Sequence, residues 1–141
     1  MPTTSTAQAH WEGSLMEGSG SVELVTSGAA TFDVNWSKRA EAGQGNTNPE
    51  ELLAAAHATC YSMALSHALA GNGTPATSID TKAEVGFQPG QGVTGSTLTV
   101  VGKVPGLTEE QFLSFAEDAK ANCPISAALS IPISLNATFE A

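Results

Sequence analysis

One stretch limits the fold more than any other: NPEELLAAAHATCYSMALSHALAGNG, residues 48–73. Asn48 suits a helix N-cap, Pro49 the first helical position, and Glu51 the third, where its side chain closes a capping box. The run LLAAAHATCYSMALSHALA holds no glycine or proline and continues for about five turns, until Gly71, Asn72 and Gly73 end it. It is apolar nearly all round, so burial on most of its faces is predicted. A chain of 141 residues fits a single domain, 1–141. In so small a domain such a helix is either a core wrapped by sheets or a surface packed against a second subunit.

The flanking segments supply the sheets. Residues 8–36 read as a three-stranded meander, QAHWEGSL, SVELVTSG and ATFDVNW, with turns at EGSG and SGAA. The polar, glycine-rich segment 37–48 reads as a loop. Beyond the long helix, 77–104 reads as a β-hairpin turning at PGQG. Thr108 caps a second helix with Gln111 at its third position and Phe112, Phe115, Ala116 and Ala119 at core spacing. A short helical segment, PISAALS, then leads to a last strand at 132–141. The order βββ-α-ββ-α-(α)-β predicts an α+β fold in which antiparallel sheets wrap a long buried central helix.

Charge narrows the partners. The formal net charge is −9, with 14 acidic side chains against 5 basic ones. A nucleic-acid binder needs clustered lysines and arginines, and an anionic membrane surface attracts the same groups, so neither partner is expected. The opening twenty residues lack a basic region followed by an apolar one, and no run of about 18 apolar residues occurs, which predicts a cytoplasmic chain without a membrane span. In that compartment two cysteines point to catalysis, redox chemistry or metal binding before a structural disulfide.

Cys60 falls in the fourth turn of the long helix, beyond reach of the helix dipole. Apolar burial alone raises a thiol pKa, so a reactive Cys60 needs a cation brought to it. Arg39 is the one arginine of the chain. It is either a solvated loop charge or a permanent positive fork that holds a thiolate and an oxygen of its substrate together. Glu51 is accounted for by capping, which leaves Glu50 free to orient Arg39 by a bidentate pair. Ten residues of helix put Glu50 and Cys60 about 15 Å apart. A shared site for those two therefore requires two helices from two subunits, and a twofold homodimer is the default. Cys123 precedes Pro124 at a predicted helix start, where a thiol is acidified and accessible; the alternative is a small apolar residue at a turn. His57 and His67 lie near the Cys60 face and read as core residues or as a base or ligand. Met63 and Ala64, one turn on, are core or pocket wall.

The segments NPEELLAAAHATCYSMAL (48–65) and ANCPISAAL (121–129), with the opening HWEGS and the element order, resemble the osmotically inducible protein C (OsmC) family of peroxidases over essentially the whole chain. The resemblance implies an intertwined homodimer with its site at the interface, a peroxidatic Cys60, a resolving Cys123, an active-site Glu50 and an Arg39 in the preceding loop. In the sister organic hydroperoxide resistance branch the arginine sits in the first strands, which hold none here, so the OsmC branch is favoured. It also implies reduction of organic hydroperoxides, with hydrogen peroxide a poorer substrate. The cycle runs through a Cys60 sulfenic acid and a Cys60–Cys123 disulfide, with no cofactor and an external thiol reductant of the dihydrolipoyl type. Met63, Ala64 and His57 are the candidate pocket residues, and no metal is expected. Two rival readings remain: a non-catalytic dimer binding an apolar ligand, and a metal module built from Cys60, Cys123, His57 and perhaps His67.

Overall fold

The alternating segments before residue 36 do pair into a meander, though each strand is shorter than its apolar pattern. The computed structural model, which describes residues 2–141, forms β1 from Ala7–Glu12, β2 from Ser19–Leu24 and β3 from Thr31–Val34. Each pairs antiparallel with the next. Gly20 lies opposite Trp11, and a Cβ there would strike the His10 carbonyl oxygen and the indole, so only glycine fits. No residue of these strands is buried, and every residue of β1 is exposed. The segment 37–48 is not wholly a loop. Asn35 accepts a hydrogen bond from the Lys38 amide and starts a short helix, α1, Trp36–Ala40. A five-residue helix carries no hydrophobic period to read, which is why the sequence shows only its polar composition there.

The chain divides into two compact units that meet within the long helix, one ending at Leu52 and one running Leu53–Ala141. That helix, α2, spans Pro49–Gly71. Asn48 caps it as expected, its Oδ1 accepting from the Glu51 amide at 2.7 Å. The capping box is only half made. The Glu51 carboxylate instead accepts the Thr47 hydroxyl, and Asn48 Nδ2 donates to the Lys38 carbonyl, tying α1 to the helix start.

The second unit holds the core. β4 (Ser78–Gln88) and β5 (Gly92–Lys103) form the hairpin, with a bulge at Gly86/Phe87. β6 (Ile133–Glu140) joins β5 in parallel, not antiparallel as expected. A parallel neighbour needs a long crossover, and the segment between the two strands supplies one through α3 (Glu109–Asn122) and α4 (Pro124–Ala128). Thr108 and Gln111 complete the capping box of α3. Ser96, Leu98, Val100, Gly102 and Val104 alternate inward along and just past β5 and are all buried. Gly102 leaves room for the Phe112 ring, which also packs on Phe139.

The long helix departs from the expectation of burial on most faces. His57, Tyr61, Leu65 and Leu69, four residues apart, form a buried stripe against this core, with the Tyr61 hydroxyl donating to the Ala116 carbonyl at 3.0 Å. The other side, with Ala55, Ala56, Thr59, Met63 and His67, is exposed, and Met63 is 68% exposed. Composition alone did not distinguish these faces, because alanine and methionine suit both. Among the described residues no helix is long and apolar enough to cross a membrane.

Candidate active site

Proline shapes the first half of the site. Pro124 has no amide hydrogen and cannot continue α3, so the chain breaks at Cys123, which ends α3 and caps α4 at once. The break swings Cys123 against the side of α2. Its Sγ stands 3.1 Å from Cys60 Sγ, both cysteines being free thiols. A disulfide needs about 2.05 Å between sulfurs, so a small side-chain movement joins them.

The two thiols differ in access and in surroundings. Cys60 is partly exposed and opens into a groove of about 910 Å³ whose walls include Met63, Ala64, Ile125 and Ala56. Cys123 is fully buried behind it, which corrects the expectation that a helix-start position would leave it accessible. The turn that acidifies a thiol also packs this one into the core. Burial pushes the Cys60 thiol up and the neighbouring Cys123 adds to the rise, opposed only by the Ile125 amide. Burial pushes Cys123 up as well. There the Ser126 amide and hydroxyl, the Cys60 thiol and the Ile125 amide outweigh it, and the net shift is downward. Within one chain, then, the accessible sulfur is the less acidic of the two.

His57 does not line the groove, which corrects its candidacy as a pocket residue. It belongs to the buried stripe of α2 beside the groove, with Nδ1 2.7 Å from Ser96 Oγ and Nε2 2.7 Å from Ser126 Oγ. Its pKa is lowered by burial, so the ring is neutral at pH 7. Met63, Ala64 and His67 do line the groove. Ser96 and Ser126 escaped notice in the sequence. The signal available for Ser96 was a hydroxyl residue in phase with the inward positions of β5.

A second constellation lies where α1 meets the start of α2. Arg39 Nε donates to Glu50 Oε1 at 3.2 Å and Nη2 to Oε2 at 3.1 Å, a bidentate pair with the Glu50 side chain 7% exposed and that of Arg39 37%. The planar guanidinium matches both carboxylate oxygens at once, which fixes its orientation. Among the described residues no group of three or more His, Cys, Asp or Glu is placed to hold a metal ion.

The sequence profile described as OsmC-like protein matches residues 42–137. Peroxiredoxin OsmC of Escherichia coli is 40% identical over 132 residues, covering 92% of each chain. Among solved structures, an organic hydroperoxide resistance protein from Elizabethkingia anophelis aligns with a TM-score of 0.68 at 26% identity, covering 99% of each chain. An OsmC-like protein from Mycoplasma pneumoniae aligns with a TM-score of 0.74 at 14% identity over the full length of both, a likeness of fold. By sequence and by architecture, the chain belongs to the OsmC-like protein family.

Proposed function

We propose that the protein is a cysteine-based hydroperoxide reductase. The observation that carries this reading is the pair of thiols at 3.1 Å, one at the wall of a largely apolar groove and one sealed behind it. A hydroperoxide with an alkyl chain can enter the groove and meet only Cys60. The names of its relatives, a peroxiredoxin and an organic hydroperoxide resistance protein, agree. The Cys60 thiolate attacks the distal peroxide oxygen, the O–O bond breaks, and the departing alkoxide takes a proton to leave as alcohol. Cys60 becomes a sulfenic acid, and Cys123 closes on it to a disulfide. An external thiol, a dithiol of the dihydrolipoyl type in this reading, reduces that disulfide, and no cofactor is used. The reaction belongs in a reducing compartment, the cytoplasm.

Arg39 of one subunit activates Cys60 of another in this proposal. Two facts support it. Cys60 is raised and needs a cation, and α2 carries Glu50 about 15 Å of helix away from Cys60. The exposed side of α2 and the uncovered first sheet are surfaces that a second copy would bury.

The test is an anaerobic single turnover with cumene hydroperoxide, read by thiol counting and mass spectrometry. Loss of two thiols per chain and a Cys60–Cys123 linked peptide are expected, with neither in Cys60→Ser. Thiol loss that persists in Cys60→Ser would overturn the reading.

A further inference from the structure

The buried histidine has no part in the cycle above, yet it stands at the centre of a polar string inside an apolar core. The string runs from β5 through α2 to α4: Ser96 Oγ, His57 Nδ1, His57 Nε2 and Ser126 Oγ; Ser126 in turn meets Cys123 Sγ through its amide at 3.5 Å, and its hydroxyl is among the groups that lower that thiol's pKa. Ser96 and Ser126 are 2% and 6% exposed and His57 is wholly buried, so none of the three has ready access to water. Three buried polar side chains on three different elements are costly unless every hydrogen is placed.

Hydrogen counting gives the string a direction. A neutral imidazole has one N–H and one bare nitrogen. If Nε2 accepted the Ser126 hydroxyl hydrogen, Cys123 would face only the oxygen lone pairs, a poor neighbour for a thiolate. If instead Ser96 donates to Nδ1, then Nε2–H donates to Ser126 Oγ, and the Ser126 hydroxyl hydrogen is left for the sulfur. Only the second arrangement satisfies an ionised Cys123. The Ser126 amide, 3.5 Å from the same sulfur, points the same way. Besides Cys60, α2 turns the titratable Tyr61 toward Cys123, and its hydroxyl is committed to the Ala116 carbonyl.

We propose that His57 is a positioning residue for the resolving thiol: clamped by Ser96, it turns the Ser126 hydroxyl onto Cys123 and so sets the speed of disulfide closure. The inference rests on the peroxidase reading. In the step concerned, the Cys123 thiolate attacks the sulfur of the Cys60 sulfenic acid; the S–S bond forms and the S–O bond breaks. Cys123 is oxidised, the sulfenic sulfur is reduced, and the departing hydroxide with the proton that Cys123 gave up makes one water. The hydrogen bond to the sulfur also makes Cys123 the better leaving group when the external thiol attacks Cys60 in the disulfide.

The experiment follows both steps by rapid quench after one equivalent of cumene hydroperoxide, with Cys60 sulfenic acid trapped by a 1,3-diketone and the disulfide read by mass. Ser126→Ala and His57→Ala should leave the rate of sulfenic acid formation unchanged and slow closure by about ten- to a hundredfold, the worth of a hydrogen bond to a charged group. The double variant should be no slower than either single one, since both remove the same contact. His57→Gln, whose amide can still donate to Ser126, should recover most of the rate. In a Cys60→Ser background the Cys123 pKa should rise in Ser126→Ala and in His57→Ala, and return toward the parent value in His57→Gln. A histidine that only fills space would alter stability and leave that pKa in place. Ser126→Ala keeps the ring, so it remains informative if His57→Ala does not fold. Closure at the parent rate in Ser126→Ala would overturn the proposal. Absence of any Cys60 sulfenic acid in the parent protein would instead overturn the peroxidase reading beneath it.

Discussion

The two sulfurs lie 3.1 Å apart, yet they belong to different kinds of structure. Cys60 sits mid-helix, where the amides of α2 are spent on the helix itself and the one backbone group that lowers its pKa is the Ile125 amide. Cys123 sits where one helix ends and another begins, where unspent amides and the Ser126 hydroxyl converge on it. A helix interior offers a thiol access without activation; a helix junction offers activation without access. One chain therefore builds the surroundings of Cys123 from its own amides and the Ser126 hydroxyl, while Cys60, as the attacking thiol of the proposed cycle, has to borrow a charge. In the proposed cycle that division makes a cation matter more for Cys60 than for Cys123.

The sharpest way to break the comparison is Cys123→Ser. It should still consume one equivalent of peroxide and accumulate Cys60 sulfenic acid, while steady-state turnover with a dithiol falls by orders of magnitude; coupled peroxide assays and mass spectrometry read both. Next comes the borrowed charge. Arg39→Ala should raise the apparent pKa of Cys60 and slow the first step by about a hundredfold or more, the usual cost of losing a preorganised donor. Glu50→Gln should act in the same direction and less strongly, since the arginine survives but loses its bidentate hold. Neither should change the Cys123 pKa measured without Cys60, and a change there would mean that the two environments are not separate.

A smaller effect concerns the scaffold between them. Tyr61→Phe removes the hydroxyl's bond to the Ala116 carbonyl, which keeps its partner within α3, and should cost about 0.5–1.5 kcal/mol in urea unfolding. The smallest is a pH effect. The folded-state pKa of His57 lies below its ordinary value of 6.5, so the unfolded chain binds more protons than the folded one as the pH drops beneath that value. Its contribution to stability is complete above pH 6.5 and declines as the pH falls toward the folded-state value. Urea midpoints measured from pH 7 to pH 5 should fall by a margin that His57→Gln removes.

Much of this was legible without coordinates. Periodicity located α2, α3 and the β4–β5 hairpin, and capping residues placed the starts of both long helices. The pairing of Cys60 with Cys123 came with the family resemblance of their two motifs, whereas Arg39 and Glu50 already stood out as the one arginine and the acid that capping left unused. Three features were illegible for separate physical reasons. The parallel seat of β6 depends on how α3 and α4 carry the chain across the sheet, which no local pattern records. The helix α1 is too short to show a period. The exposed side of α2 has the composition of a core, so the sequence signalled burial without saying against what.

What the sequence determined by itself is the set of elements, the break at Cys123 forced by Pro124, and the absence of a local activator for Cys60. Those follow from interactions within a few residues: hydrogen-bond capping, the missing amide of proline and the reach of a helix dipole. Only the tertiary structure decided that Cys123 is buried and Cys60 accessible, that His57 turns away from the groove, and that Ser96 and Ser126 hold it. Each of those depends on which side of α2 meets β5 and α4, a choice made by packing between residues up to 69 positions apart.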